Sequence, residues 1–131
     1  MECTKKTMKS YTDISQSKKL AEILPHNTAD GTWKRLAIAG YNLDVPEELQ
    51  YFHDGDTSFV FYSGIGIPSW SLAALLDNIP QVKLDNIKQY DKKYWRCCAY
   101  FASDWHNSDW CDNPVDACVE LIIKLHEQKL L

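Results

Sequence analysis

The chain is 131 residues long, 45% of them hydrophobic and 24% charged, with a formal net charge of -4 at pH 7. This composition excludes a disordered or fibrous chain, and the length allows one self-sufficient core, so a single domain spanning residues 1–131 is expected. The net charge excludes the strong basic excess of a dedicated nucleic-acid binder.

Residues 1–11 are polar and basic and read as a loose N-terminal arm. Asp13 or Thr12 then caps a helix running to about Leu24, with Gln16 at the reciprocal position of a capping box if Asp13 is the cap. Ile14, Ser17, Leu20, Ala21 and Leu24 share one face of it, and Pro25 ends it. Trp33 to Ala39 is a strand or a short helix, because a short apolar run has no decisive period. Residues 41–50 read as loop, His53 to Asp56 as a turn, and Thr57 to Tyr62 (TSFVFY) as a strand dense in β-formers. Gly64 and Gly66 lack the third glycine or the Gly-Lys-Ser/Thr ending of a phosphate loop and make a flexible connection.

The stretch from Ile67 to Pro80 (IPSWSLAALLDNIP) has the clearest grammar. Pro68 keeps its start extended, Ser71 is the N-cap, and Trp70 and Leu75 have the spacing of a hydrophobic staple. Leu72, Leu75, Leu76 and Ile79 form a core stripe that Pro80 stops. Next comes a hairpin, Lys83 to Tyr90 and Tyr94 to Ala102 around a turn at Asp91-Lys92-Lys93. Alternation puts Trp95, Cys97, Ala99 and Phe101 on one face of its second strand and Tyr94, Arg96, Cys98 and Tyr100 on the other. In the last helix Asp112 or Asn113 is the cap, Pro114 the first helical residue, and Val115, Cys118, Val119, Ile122, Leu125 and His126 the inner or border face. The expected fold is α+β, a small antiparallel sheet with about three helices packed on it.

Three motifs recur together: a glutamine-serine helix start (Gln16, Ser17) followed by the Thr28-Ala29-Asp30 step, a Pro68-x-Trp70-Ser71-Leu72 helix start closed by Pro80, and Asp116-Ala117 in the last helix. In that order they resemble a group of small proteins encoded by anaerobic gut bacteria and their prophages or other mobile elements. The chain departs from that pattern after Asp30, where Gly31 stands in place of a methionine. The resemblance implies a bacterial or phage context and brings no catalytic residue.

Candidate chemistry is sparse. Five cysteines, at 3, 97, 98, 111 and 118, are an odd number without framework spacing and read as free thiols of a reducing cytoplasm. No secretory signal and no membrane-length apolar run are visible. His106, Cys111, Cys118 and His126 are the only set that could approach a zinc sphere, but they lack paired-ligand spacing, so neither a metal nor another cofactor is expected. A nucleophilic enzyme would have to pair Cys111 or Cys118 with His106 or His126, oriented by Asp104 or Asp109. Charge is uneven: residues 36–82 hold six acids and no base, whereas residues 83–96 hold five bases and two acids. Lys83, Lys88, Lys92, Lys93 and Arg96 could therefore join the N-terminal lysines in a weak nucleic-acid patch.

The surface singled out is Ser103 to Asn113, SDWHNSDWCDN, a near-tandem Ser-Asp-Trp repeat. It is read as a loop whose binding residues are Trp105, His106, Trp110, Asp104 and Asp109, because tryptophans anchor interfaces more than most residues do. The alternative for either indole is a packing role at the sheet's end. The expectation is a cytoplasmic, non-enzymatic accessory protein of a bacterial mobile element, with a protein partner and no membrane association. A weak nucleic-acid binder is the alternative, and an enzyme built on a Cys/His pair the second.

Overall fold

The computed structural model describes residues 9–35, 51–53 and 66–131, with the backbone alone for Arg35 and residues 51–53. The expected strand at residues 57–62, the loop at 41–50 and most of the turn at 53–56 lie outside these residues. The fold is α+β, and its described strands form two antiparallel sheets of three strands each rather than one sheet. In the first, β1 (Gly31–Arg35) pairs with β2 (Tyr51–His53) on one side and β3 (Ile67–Ser69) on the other. In the second, β5 (Lys92–Phe101) lies between β4 (Val82–Gln89) and β6 (Asp104–Asn107). Helices α1 (Ile14–Ala21), α2 (Leu72–Asp77) and α3 (Pro114–Glu127) complete it.

Local signals set the helix starts. Asp13 caps α1 through a full capping box: its carboxylate accepts from the Gln16 backbone N–H at 2.7 Å, and the Gln16 side chain accepts from the Asp13 N–H at 3.1 Å. The helix stops at Ala21, three residues short of the expected end, although Leu24 still reaches the core. Asn113, not Asp112, caps α3, with Pro114 at its first turn. Around α2 the Ser71 cap holds, but the helix is only six residues long and the extended start before it is a paired strand. Trp70, Leu75 and Ile79 are buried as expected, whereas Leu72 and Leu76 are only partly so. The helix ends at Asp77, so Ile79 is carried by the turn that follows, and Leu72 and Leu76 pack against the edge of the core. Gly66 is more than a hinge: a Cβ there would run into the Thr32 methyl group, so glycine lets β3 approach β1.

The Gln16-Ser17, Thr28-Ala29-Asp30, Trp70-Ser71 and Asp116-Ala117 motifs are joined to one another by hydrogen bonds. Thr28 Oγ1 accepts from the Trp70 indole N–H at 2.9 Å, and the Asp30 carboxylate accepts from the Ser71 N–H at 2.8 Å and from its hydroxyl. Gln16 Nε2 donates to Asp116 Oδ1 at 2.7 Å. Lys9 also donates to that oxygen, at 2.7 Å, while Asn113 Nδ2 donates to Asp116 Oδ2 at 2.7 Å. Residues 9–11 of the expected arm are therefore engaged, since Tyr11 additionally bridges to Ser71.

The core lies between α3 and β5. Cys97 and Ala99 on the strand and Val115, Ala117, Cys118, Leu121, Ile122 and Leu125 on the helix expose no surface. Trp95 and Phe101 pack on the same cluster, so the alternation expected for β5 holds. The buried face of α3 is wider than the sequence stripe, taking in Ala117 and Leu121, while His126 is left exposed. Both hairpins of this sheet close with two-residue turns, Tyr90–Asp91 and Ala102–Ser103, whose φ angles of 53°, 63°, 50° and 64° are all left-handed. The first turn thus falls at Tyr90–Asp91 instead of Asp91–Lys93, because the Gln89–Lys92 pair keeps the two strands in register.

Two expectations follow. Leu75, with no exposed surface, should lose about 2–5 kcal/mol on truncation to alanine, and the half-covered Leu76 clearly less; equal losses in chemical denaturation would refute the burial pattern. The Asp116 carboxyl is pulled two ways: burial raises its pKa, but hydrogen bonds from Lys9, Gln16 and Asn113 outweigh this and hold it below the usual 3.8. A depressed folded-state pKa stabilises fully above the unfolded value and loses that contribution as the pH falls through the folded one. Asp116→Asn should therefore cost about 1–2 kcal/mol at neutral pH, and the gap from the parent should close as the pH drops below 3.8. A gap independent of pH would remove the carboxylate from the account.

Candidate functional site

The Ser103–Asn113 segment is a loop only in part. Residues 104–107 form strand β6, paired to β5 with Ala99 opposite His106 and Tyr100 opposite Trp105. Alternation then divides the candidates. Asp104 and His106 stand opposite Phe101 and Ala99, on the side turned to α3, whereas Trp105 stands with Tyr100 on the outer side. The Asp104 carboxylate is spent locally on the Trp105 N–H, at 2.9 Å. His106 and Asp104 are therefore not brought together with the indole they flank in sequence.

Trp110 does join Trp105, by a route the sequence hid. Five residues separate the two indoles, and in a regular strand an odd separation puts side chains on opposite faces. Beyond β6 the chain keeps pairing with β5: the Ser108 N–H donates to the Cys97 carbonyl at 2.9 Å, and Cys111 and Trp95 exchange backbone bonds at 2.7 and 2.8 Å. From Cys97 to Trp95 is two steps, but from Ser108 to Cys111 is three. Asp109 and Trp110 together oppose Arg96, a β-bulge, and the extra residue reverses the parity. Trp110 consequently lies on the outer side, 4.7 Å from the Arg96 guanidinium.

The bulge is held by named bonds. The buried Ser108 hydroxyl accepts from the Cys97 N–H and donates to the Asp109 carbonyl, both at 2.9 Å. The Asp109 N–H, turned out of the ladder, donates to Glu120 Oε1 of α3 at 2.7 Å, and Lys124 Nζ donates to the Asn107 carbonyl at 2.8 Å. Asp109 thus serves the site through its backbone.

The resulting outer face runs across three strands. Trp105 meets Tyr100 edge to face at 5.4 Å, with Lys83 Nζ 5.6 Å from its ring. Asp85 accepts from Arg96 at 3.1 Å and from the Cys98 thiol at 3.6 Å. The Arg96 hydrogen bond is the main reason the Asp85 carboxyl sits below its usual range, while burial and the Asp85 charge push the Cys98 thiol up. Lys92 covers Tyr94 at 5.4 Å. The indoles remain open: Trp105 is 49% exposed and Trp110 39%. With Ile87, Tyr90 and Tyr100 they are the large exposed hydrophobic residues among those described, all in or beside this sheet.

The five bases expected in one patch do share the β4–β5 hairpin, but Lys83, Lys92 and Arg96 fall on its outer face and Lys88 and Lys93 on the other. Of the N-terminal lysines, Lys9 is committed to Asp116 and Asp13. Among the described residues, the surroundings of Cys97, Cys98 and Cys111 all raise the thiol pKa. Cys118 faces Cys97, whose pKa is raised by that contact and by burial. Cys111 donates to Glu120 Oε2 and the Asp109 carbonyl, both at 3.6 Å, and burial followed by the Glu120 charge pushes its pKa up to about 12. His126 Nδ1 lies 3.0 Å from the Leu131 carbonyl. Among the described residues no group of three His, Cys, Asp or Glu side chains could hold a metal.

A thiol held near pKa 12 carries little thiolate at pH 8. Cys111 should alkylate with iodoacetamide at least about tenfold more slowly than a free cysteine, and Glu120→Gln should accelerate it. Rapid labelling of the Cys111 peptide in the parent protein, followed by mass spectrometry, would overturn this environment. No family model, curated protein or solved structure matches the chain.

Proposed function

We propose that the protein is a non-enzymatic interaction protein that binds a protein partner through the outer face of the β4–β5–β6 sheet. The observation that carries this reading is the bulge at Asp109–Trp110, which brings two exposed indoles to one face where a regular strand would separate them. Bulges commonly re-aim a side chain beside a functional surface. Trp, Tyr and Arg are the residues most enriched where binding energy concentrates, and here Trp105, Tyr100, Arg96 and Trp110 adjoin. The cations at Lys83 and Arg96 hold the rings in place before a partner arrives, which lowers the ordering cost of association.

The face suits protein better than nucleic acid. The charge of Arg96, which lies against Trp110, is matched by Asp85 on the same face, so a phosphate backbone would meet a carboxylate beside the stacking ring. The resemblance to proteins of bacterial mobile elements supports an accessory role there. The free thiols Cys97, Cys98, Cys111 and Cys118 support a reducing, cytoplasmic setting.

The test compares the parent with Trp105→Ala/Trp110→Ala. A partner recovered from the native host by cross-linking is purified and titrated against both. The double variant should weaken one-to-one binding by about a hundredfold, the effect of losing two anchors, with its thermal midpoint nearly unchanged. An unfolded double variant, or equal affinities, would sink the reading.

A further inference from the structure

The β4–β5 hairpin ends in a feature that the fold does not use. Every residue from Asn86 to Lys93 is exposed, and Tyr90 at the apex is 95% so. Two-residue hairpin turns with both φ angles positive favour Asn-Gly, because a side chain at positive φ crowds the backbone. The neighbouring hairpin fills its turn with the small Ala102–Ser103, yet this one places a tyrosine at φ 53° where nothing packs on its ring. Charge is also set against the hairpin. Lys88 stands directly opposite Lys93, a like-charge cross-strand pair that opposes strand pairing, and Lys92 follows on the other face. Among the described residues no carboxylate lies within ion-pair distance of Lys88, Lys92 or Lys93, and Asp91 is the only acid between them.

A strained, unpacked tyrosine and a lysine cluster that meets the rings of Tyr94 and Trp95 but no carboxylate among the described residues are both resolved by the same occupant, a surface with carboxylates and room for a phenol. We infer that the end of the β4–β5 hairpin docks into a carboxylate-rich segment of the partner protein, with Tyr90 as the anchor and Lys88, Lys92 and Lys93 as the charge contacts. This rests on the reading of the outer face as a protein interface and extends it, since Lys92 and Tyr94 lead from the apex to Arg96 and Trp110 along that same face. Phosphate fits less well: three lysines are far fewer than the roughly six to ten contacts that give strong backbone binding, and the chain as a whole carries a net charge of -4.

The probe is a fluorescein-labelled peptide of ten glutamates, followed by anisotropy at low salt, with a single-stranded oligonucleotide as the competing class. The parent should bind the peptide, Tyr90→Ala should weaken it, and Lys88→Glu/Lys92→Glu should weaken it about tenfold. Lys88→Glu alone should weaken the peptide while raising the thermal midpoint, because it converts the Lys88–Lys93 clash into an opposite-charge pair; a structural lysine would give a lower midpoint. Trp105→Ala/Trp110→Ala should keep full peptide affinity, which separates this inference from the indole face. Absence of peptide binding, loss of binding in the indole variant, a lowered midpoint for Lys88→Glu, or tighter binding of the oligonucleotide than of the peptide would each overturn it.

Discussion

The contact between α3 and the inner face of β5 sets the geometry of everything around it. Helix and strand meet through small side chains, Cys97 and Ala99 against Ala117 and Cys118, none with exposed surface. Small residues let the helix backbone come close to the sheet, and a core at crystal-like density then leaves little room for β5 to slip. A slip of one residue would turn Cys98 and Tyr100 inward and put Cys97 and Ala99 outside, so the packing specifies the register strongly. Once β5 is fixed in this way, Arg96, Cys98 and Tyr100 must face outward, and β4 and β6 inherit the same division through their pairing.

The geometry of the outer face depends on where that inheritance is broken. Ordinary pairing would carry the alternation of β6 past Asn107 and send Trp110 to the helix side. Ser108 prevents this by giving its hydroxyl and its N–H to the two polar groups of Cys97, which ends the regular ladder one residue early. The N–H freed at Asp109 is taken up by Glu120 from α3. The same helix that fixes the inner face therefore supports the bulge that builds the outer one. A single glutamate links them, accepting from Asp109 N–H with one oxygen and from the Cys111 thiol with the other.

Local chemistry was legible in the sequence wherever one short segment decides the outcome. The capping box at Asp13 and Gln16, the Ser71 cap, Pro114 at the start of α3 and the two faces of β5 all depend on residues within a few positions of one another. What was not legible depends on partners far along the chain. Leu76 and Leu75 have equal claims in a helical stripe, yet Leu75 is fully buried and Leu76 only partly, a difference set by tertiary packing. Gly66 reads as a flexible connection until Thr32 lies against it. The Ser-Asp-Trp repeat picks out both exposed indoles, but it implied one loop with His106 and Asp104 beside them. Strand parity removes those two from the indole face, and only the Cys97–Ser108 pairing discloses that Trp110 rejoins it. The serine in the repeat was the available signal, since a buried hydroxyl beside a strand end is suited to hold a bulge.

The Gln16-Ser17, Thr28-Ala29-Asp30, Pro68-x-Trp70-Ser71 and Asp116-Ala117 motifs do different work from the proposed interface. Gln16 meets Asp116, Thr28 meets Trp70, and Asp30 meets Ser71, so each conspicuous pair joins segments distant in sequence: α1 to α3, or the turn before β1 to the start of α2. All are hydrogen bonds between groups at least partly shielded or tied to a backbone donor, and they account for these residues without any ligand. None of them lies on β4, β5 or β6. The scaffold is thus latched together by one set of residues, while the outer sheet face and the hairpin apex draw on another set, which the latch leaves unconstrained. A substitution at Trp105, Trp110, Tyr90 or Lys88 leaves every one of those latches intact.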